Sequence, residues 1–118
     1  HIFFTFWGLD MVTKKTMGDL KFTFLGNPAA HMPQGLGGIP GMTGMATRMM
    51  KKQIAGVDVP EVPEFLEMLV DMGANLWACQ MSTDMMDLDQ DDLFDGVTDI
   101  INVSEFIELS DGAQVVFV

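Results

Sequence analysis

Cysteine and positive charge are the two things this sequence has least of. One cysteine, Cys79, occurs in 118 residues. No intramolecular disulfide can form, and no cysteine-rich zinc or iron–sulfur site. A single thiol fits a reducing compartment such as the cytosol, so the expected location is cytoplasmic. Lys and Arg number 6 against 17 Asp and Glu, a net charge of −11. Such a chain repels phosphate backbones, which argues against nucleic acid as a partner. It also lacks a polybasic patch for anionic lipid. The charge favours solubility and a basic partner protein. No uncharged apolar run approaches the ~18–20 residues that span a bilayer, so no transmembrane segment is expected. The chain opens on His1, and no cationic run precedes the apolar residues 2–7, so they are not expected to be a signal peptide. They read as a core strand entered midway, as in a fragment or a processed form.

What is present is enough for one domain. At 118 residues and 48% hydrophobic content, the chain can bury about two-thirds of its unfolded surface without a disulfide or metal staple. Ile-Phe-Phe-Thr-Phe-Trp (2–7) suits a strand covered on both faces. Leu9 to Thr16 can form a short helix with Lys14 and Lys15 in its last turn. Residues 17–46 hold seven of the twelve glycines and three of the five prolines. No period is sustained there, so this stretch is read as an insertion that covers a site or makes a subunit contact. Residues 46–54 can form a helix carrying Arg48, Lys51 and Lys52, the main basic cluster. Pro63 opens a clearer helix, with Val62, Phe65, Leu66, Leu69 and Val70 as its apolar stripe and Gly73 as its C-terminal stop. Residues 75–79 are a second strand. Ser82 or Thr83 can cap a helix over 84–88, and Asp89 with Asp92 forms a capping-box pattern. Residues 98–103 are a third strand, Asn102 and Glu105 can open a last helix, and residues 113–118 are a last strand. This alternation predicts an α/β fold with a mostly parallel sheet flanked by helices.

Four features could carry chemistry. Cys79 is expected at the carboxyl end of a strand just before a helix, the edge where open α/β sheets bind ligands. A helix N-terminus there would stabilise a thiolate able to attack sulfur or hold a persulfide; the competing reading is a small buried hydrophobe. The twelve methionines cluster at Met42, Met45, Met49 and Met50 and again at Met81, Met85 and Met86. With the thiolate they would suit a soft ion such as Cu(I), but no metal-ligand spacing appears, and adaptable packing explains them more simply. No metal or cofactor is therefore expected. The acids Asp87, Asp89 and Asp91 begin like a Ca²⁺ loop, but Asp92 stands where glycine is required and Thr98 where a bidentate glutamate is required. Helix capping is the better reading. The glycine-rich stretch contains no phosphate-binding fingerprint, and His1 and His31 have no partner spacing.

Taken together, Ile-Phe-Phe-Thr-Phe-Trp-Gly-Leu, the Met/Gly/Pro-rich insertion, Trp-Ala-Cys-Gln-Met-Ser-Thr-Asp-Met-Met and the Asp-Gly-Val turn resemble the DsrE/DsrF-like family. They are most similar to its methionine-rich branch, often labelled peroxiredoxin-like. The resemblance covers nearly the whole chain, so residues 1–118 are expected to be one DsrE-like domain of three layers, with the insertion at about 17–46. It implies a homo-oligomer engaged in cytoplasmic sulfur trafficking. It also implies that Cys79 carries sulfane sulfur as a persulfide or thiosulfonate, exchanged with TusA-like or rhodanese-like partners. Family members have a further strand and helix before the Phe-Phe-Thr-Phe-Trp strand, which this sequence does not show, and some relatives carry a second cysteine there.

Three functions compete. The first is a sulfur carrier acting through Cys79, with the basic cluster attracting an anionic donor or partner. The second is a non-catalytic oligomeric scaffold with an inert buried cysteine. The third is a thiol peroxidase, for which the sequence supplies neither a second resolving cysteine nor an evident cation beside the thiolate.

Overall fold

Three short parallel strands organise the part of the molecule that holds the cysteine. The computed structural model describes residues 1–21 and 39–116. The chain divides into two compact units, one of residues 1–18 and 61–118, the other of residues 19–60.

In the first unit the strands are β1 (Ile2–Phe4), β2 (Leu76–Cys79) and β3 (Val97–Ile101), ordered β1-β2-β3. The register aligns Ile2 with Leu76 and Phe4 with Ala78, then Leu76 with Val97 and Cys79 with Ile101. The irregularity between Leu76 and Trp77 leaves Thr98 as the extra residue of a bulge. Side chains alternate across a strand. Ile2, Phe4, Leu76 and Ala78 therefore share one face, and Phe3, Trp77 and Cys79 the other.

The first face carries the core. Phe4, Leu76 and Ala78 join Leu9, Val12, Leu66, Leu93 and Val97 in one buried cluster. Leu66 comes from helix α2 (Val62–Asp71), whose predicted stripe also brings Val62, Leu69 and Val70 against that cluster. Burying a large aliphatic side chain contributes about 1.5–3 kcal/mol, so this cluster is the main source of stability in the unit. On the second face, Phe3 stacks on Phe106 with ring centroids 4.6 Å apart. Phe106 belongs to helix α4 (Val103–Leu109). Helices on both faces of a small parallel sheet make this an α/β fold with the expected layering.

The turns obey local chemistry. Pro63 lies in the first turn of α2, and Gly73 comes after the helix with φ +88°, a conformation that side chains disfavour. Asn102 and Glu105 form a reciprocal capping box on α4, and Asp89 and Asp92 do the same for the 3₁₀ turn Gln90–Asp92. Capping therefore accounts for these members of the acidic stretch. Helix α3 (Gln80–Met86) begins directly after Cys79, earlier than the expected 84–88. The first strand stops at Phe4, because Phe6 turns the chain with φ +45° into the 3₁₀ turn Phe6–Met11. Residues 113–116 form no strand, and residues 117–118 lie outside the described set.

In the second unit, helix α1 spans Met42–Ile54. It begins four residues before the expected start at 46. Most of the 17–46 insertion, including His31, lies outside the described residues.

Candidate functional site

Cys79 is the last residue of the central strand and the N-cap of α3, with φ −75° and ψ 118°. The parallel strands bring the ends of β1 and β3 to the same edge. Thr5 and Phe6 therefore come after one neighbour of Cys79, and Asn102 after the other. The thiol is free and 1% exposed. Burial on this scale fits a cysteine enclosed by apolar neighbours as readily as one held back from solvent until a partner arrives.

Two small polar residues set how α3 leaves the strand. Ser82 and Thr83 carry the local pattern of helix caps, yet both lie inside α3 and are fully buried. The Thr83 hydroxyl donates to the Gln80 carbonyl at 2.9 Å. The Ser82 hydroxyl oxygen accepts from the Phe6 backbone N–H at 3.0 Å. A bulky residue at positive φ costs roughly 1–3 kcal/mol and persists only where neighbours hold it. Ser82 holds Phe6, and so ties the turn after β1 to the helix after Cys79. The sequence shows Ser82 three residues past the cysteine, but nothing in it names Phe6 as the partner.

The same elements expose large apolar side chains. Phe6 and Trp7 on the 3₁₀ turn, and Met81 and Met85 on α3, are all exposed, Trp7 at 81%. Met86 turns inward against the core. The thioethers of Met81 and Met85 thus lie at the surface and the Cys79 thiol beneath it. The described residues contain no group of three or more His, Cys, Asp and Glu side chains suited to a metal. His1 stacks on Trp77 and accepts from its indole N–H at 3.1 Å, so its ring packs on the second face of the sheet.

Comparison with known proteins gives this geometry a family. A model of the DsrE/DsrF/DrsH-like family matches residues 1–117. The chain belongs to that family. It is similar to the sulfur carrier protein DsrE2 of Allochromatium vinosum, with 36% identity over 105 residues, covering 82% of this chain and 65% of the relative. It is also similar to the uncharacterized protein YrkE of Bacillus subtilis, with 32% identity over 101 residues, covering 81% of this chain and 63% of the relative. This DsrE/DsrF/DrsH-like chain therefore spans somewhat under two-thirds of the length of these curated relatives. No helix among the described residues is long and apolar enough to cross a membrane.

Cys79 is the one cysteine of the sequence. The basic residues split: Arg48 and Lys51 line a pocket in the 19–60 unit, and Lys52 does not.

Proposed function

We propose that this chain is a cytoplasmic sulfur-trafficking protein that carries sulfane sulfur on Cys79 and exchanges it with TusA-like or rhodanese-like partners. The observation that supports this most is the position of Cys79. It ends the central strand of a parallel sheet, at the edge where such folds do their chemistry. A family relative that is 36% identical is named a sulfur carrier. Residues 1–118 act as one domain of a homo-oligomer, with the stretch at about 17–46 as an insertion. Phe6, Trp7, Met81 and Met85 offer a partner an apolar, adaptable surface on the elements beside the thiol.

The chemistry is thiolate attack on a sulfane sulfur. With a persulfide donor, the Cys79 thiolate bonds to the terminal sulfur, the donor S–S bond breaks, and the donor leaves as a thiolate. With tetrathionate, the thiolate attacks an inner sulfur and thiosulfate leaves, so Cys79 retains a thiosulfonate. Neither step needs an added oxidant or reductant. Intact-protein mass spectrometry after polysulfide or tetrathionate treatment checks this. The expected result is a reductant-labile adduct that disappears in Cys79→Ser, with the fold of the variant confirmed by circular dichroism. An adduct retained in Cys79→Ser would overturn the assignment.

The burial of Cys79 supports a second reading, an oligomeric scaffold with an inert thiol. Alkylation separates the two. A carrier reacts in the native state, and Ser82→Ala, which removes the acceptor of the Phe6 N–H, speeds that reaction. A scaffold thiol reacts only on unfolding, whatever residue stands at 82.

A further inference from the structure

Charge in this protein is sharply divided. Residues 19–60 carry Lys21, Arg48, Lys51 and Lys52 against Asp19 and Asp58, a net charge of +2 in a chain of −11. Three of those four cations line one pocket of about 480 Å³. Gly44, Arg48 and Lys51 recur at spacings of four and three along α1, so they share one side of the helix. A glycine inside a helix costs up to about 1 kcal/mol relative to alanine. No described atom lies within 4 Å of a Cβ built at Gly44, so crowding does not require it, and it is one of the residues that line the pocket.

The pocket already holds one anionic group. The Asp19 carboxylate pairs with Lys51 at 2.7 Å and with Lys21. These two ammonium groups, Lys21 first, lower its pKa to about 2. Arg48 has no ion pair among the described residues, and residues 22–38 contain no Asp or Glu that could supply one. A guanidinium fork matches the paired oxygens of a tetrahedral oxyanion, and an unpaired one beside two lysines leaves the pocket with excess positive charge.

We propose that this pocket binds a small doubly charged tetrahedral oxyanion, with Arg48 as its principal ligand and Lys51 and Lys21 as flanking cations. Sulfate, thiosulfate and phosphate share that chemistry. Assigning the site to a sulfur oxyanion rests on the sulfur-trafficking reading above; the anion site itself does not.

Titration of the full chain with sodium thiosulfate, sulfate or phosphate at low ionic strength, monitored by amide chemical shifts, tests this, with sodium chloride as the control. Saturable shifts are expected at Thr43, Gly44, Arg48 and Lys51. Arg48→Ala should weaken binding about tenfold, and Arg48→Lys should recover part of the loss. Asp19→Asn should tighten binding about threefold by freeing both lysines. Shifts that stay linear as with chloride, or equal affinities in wild type and Arg48→Ala with the fold intact, would overturn the site. Preference for thiosulfate supports the sulfur assignment, and equal or stronger phosphate binding overturns it while leaving the site standing. Cys79→Ser should bind the anion unchanged. Failure of Cys79 to load with anion binding intact therefore counts against the carrier reading alone.

Discussion

The unit of residues 1–18 and 61–118 and the unit of residues 19–60 are built from different materials. The first holds fifteen of the seventeen acids and a net charge of −13, yet it contains the close-packed aliphatic cluster. The second has a net charge of +2, and among the described residues it buries only Ala46 and Thr47. In the acidic unit several of the acids serve the backbone. Asp89, Asp92 and Glu105 accept from free N–H groups in capping boxes, and Glu64 lies in the first turn of α2, where the helix dipole favours an anion. Apolar burial then supplies the stability. In the basic unit, the ion pairs among the described residues lie at the surface, such as Lys51 with Asp19, and exposed pairs contribute little.

The contrast breaks most sharply in the core. Leu66 is 1% exposed and Met49 is 47% exposed. Leu66→Ala should lower unfolding stability by about 2–5 kcal/mol in urea melts. Met49→Ala should change it by less than about 0.5 kcal/mol. Equal losses would mean that the basic unit has a core of comparable weight.

Glycine sharpens the comparison. A Cβ at Gly96 would come within 2.4 Å of the Phe94 ring and 2.9 Å of Val70, whereas one at Gly44 meets no described atom within 4 Å. Gly96→Ala should destabilise by about 1–3 kcal/mol, because neither a ring nor a branched side chain can yield cheaply. Gly44→Ala should stabilise by up to about 1 kcal/mol through helix propensity. Thermal melts of the two variants should therefore move in opposite directions.

The smallest effect is electrostatic. Asp19 has its pKa lowered to about 2 by Lys21 and Lys51. A carboxylate with a depressed folded-state value contributes stability above its unfolded value and loses it as pH falls through the folded one. Its contribution is thus fully present above about pH 4 and lost as pH falls toward 2. The carboxyl carbon shift of Asp19, measured by NMR, should titrate near 2. It should return toward the ordinary aspartate value when both lysines are replaced by alanine.

Much of the acidic unit was legible residue by residue. The apolar spacing from Val62 to Val70, Pro63 at the helix start, Gly73 at its end and the Asn102–Glu105 pair are local signals, each acting within a turn or two. The strand ending at Cys79 was legible for the same reason. The start of α3, immediately after Cys79, was not. Ser82 and Thr83 look like caps in isolation, because hydroxyls favour helix starts. Both lie inside α3, where Ser82 accepts from the N–H of Phe6, seventy-six positions earlier in the chain, and Thr83 donates to the Gln80 carbonyl. The early end of β1 was not legible either: Phe-Phe-Thr-Phe-Trp alone reads as one continuous strand, and the positive φ of Phe6, whose N–H donates to Ser82, ends it.

By itself, then, the sequence determined the fold class, the capped helices and the placement of the only cysteine at a strand end. Those features depend on periodicity and on hydrogen bonds between near neighbours in the chain. Tertiary structure alone decided that the thiol is buried, that Ser82 anchors a strained turn, and that Asp19 meets Lys51 thirty-two residues away. Each of these joins groups far apart in the chain, and only the folded backbone sets the distance between them.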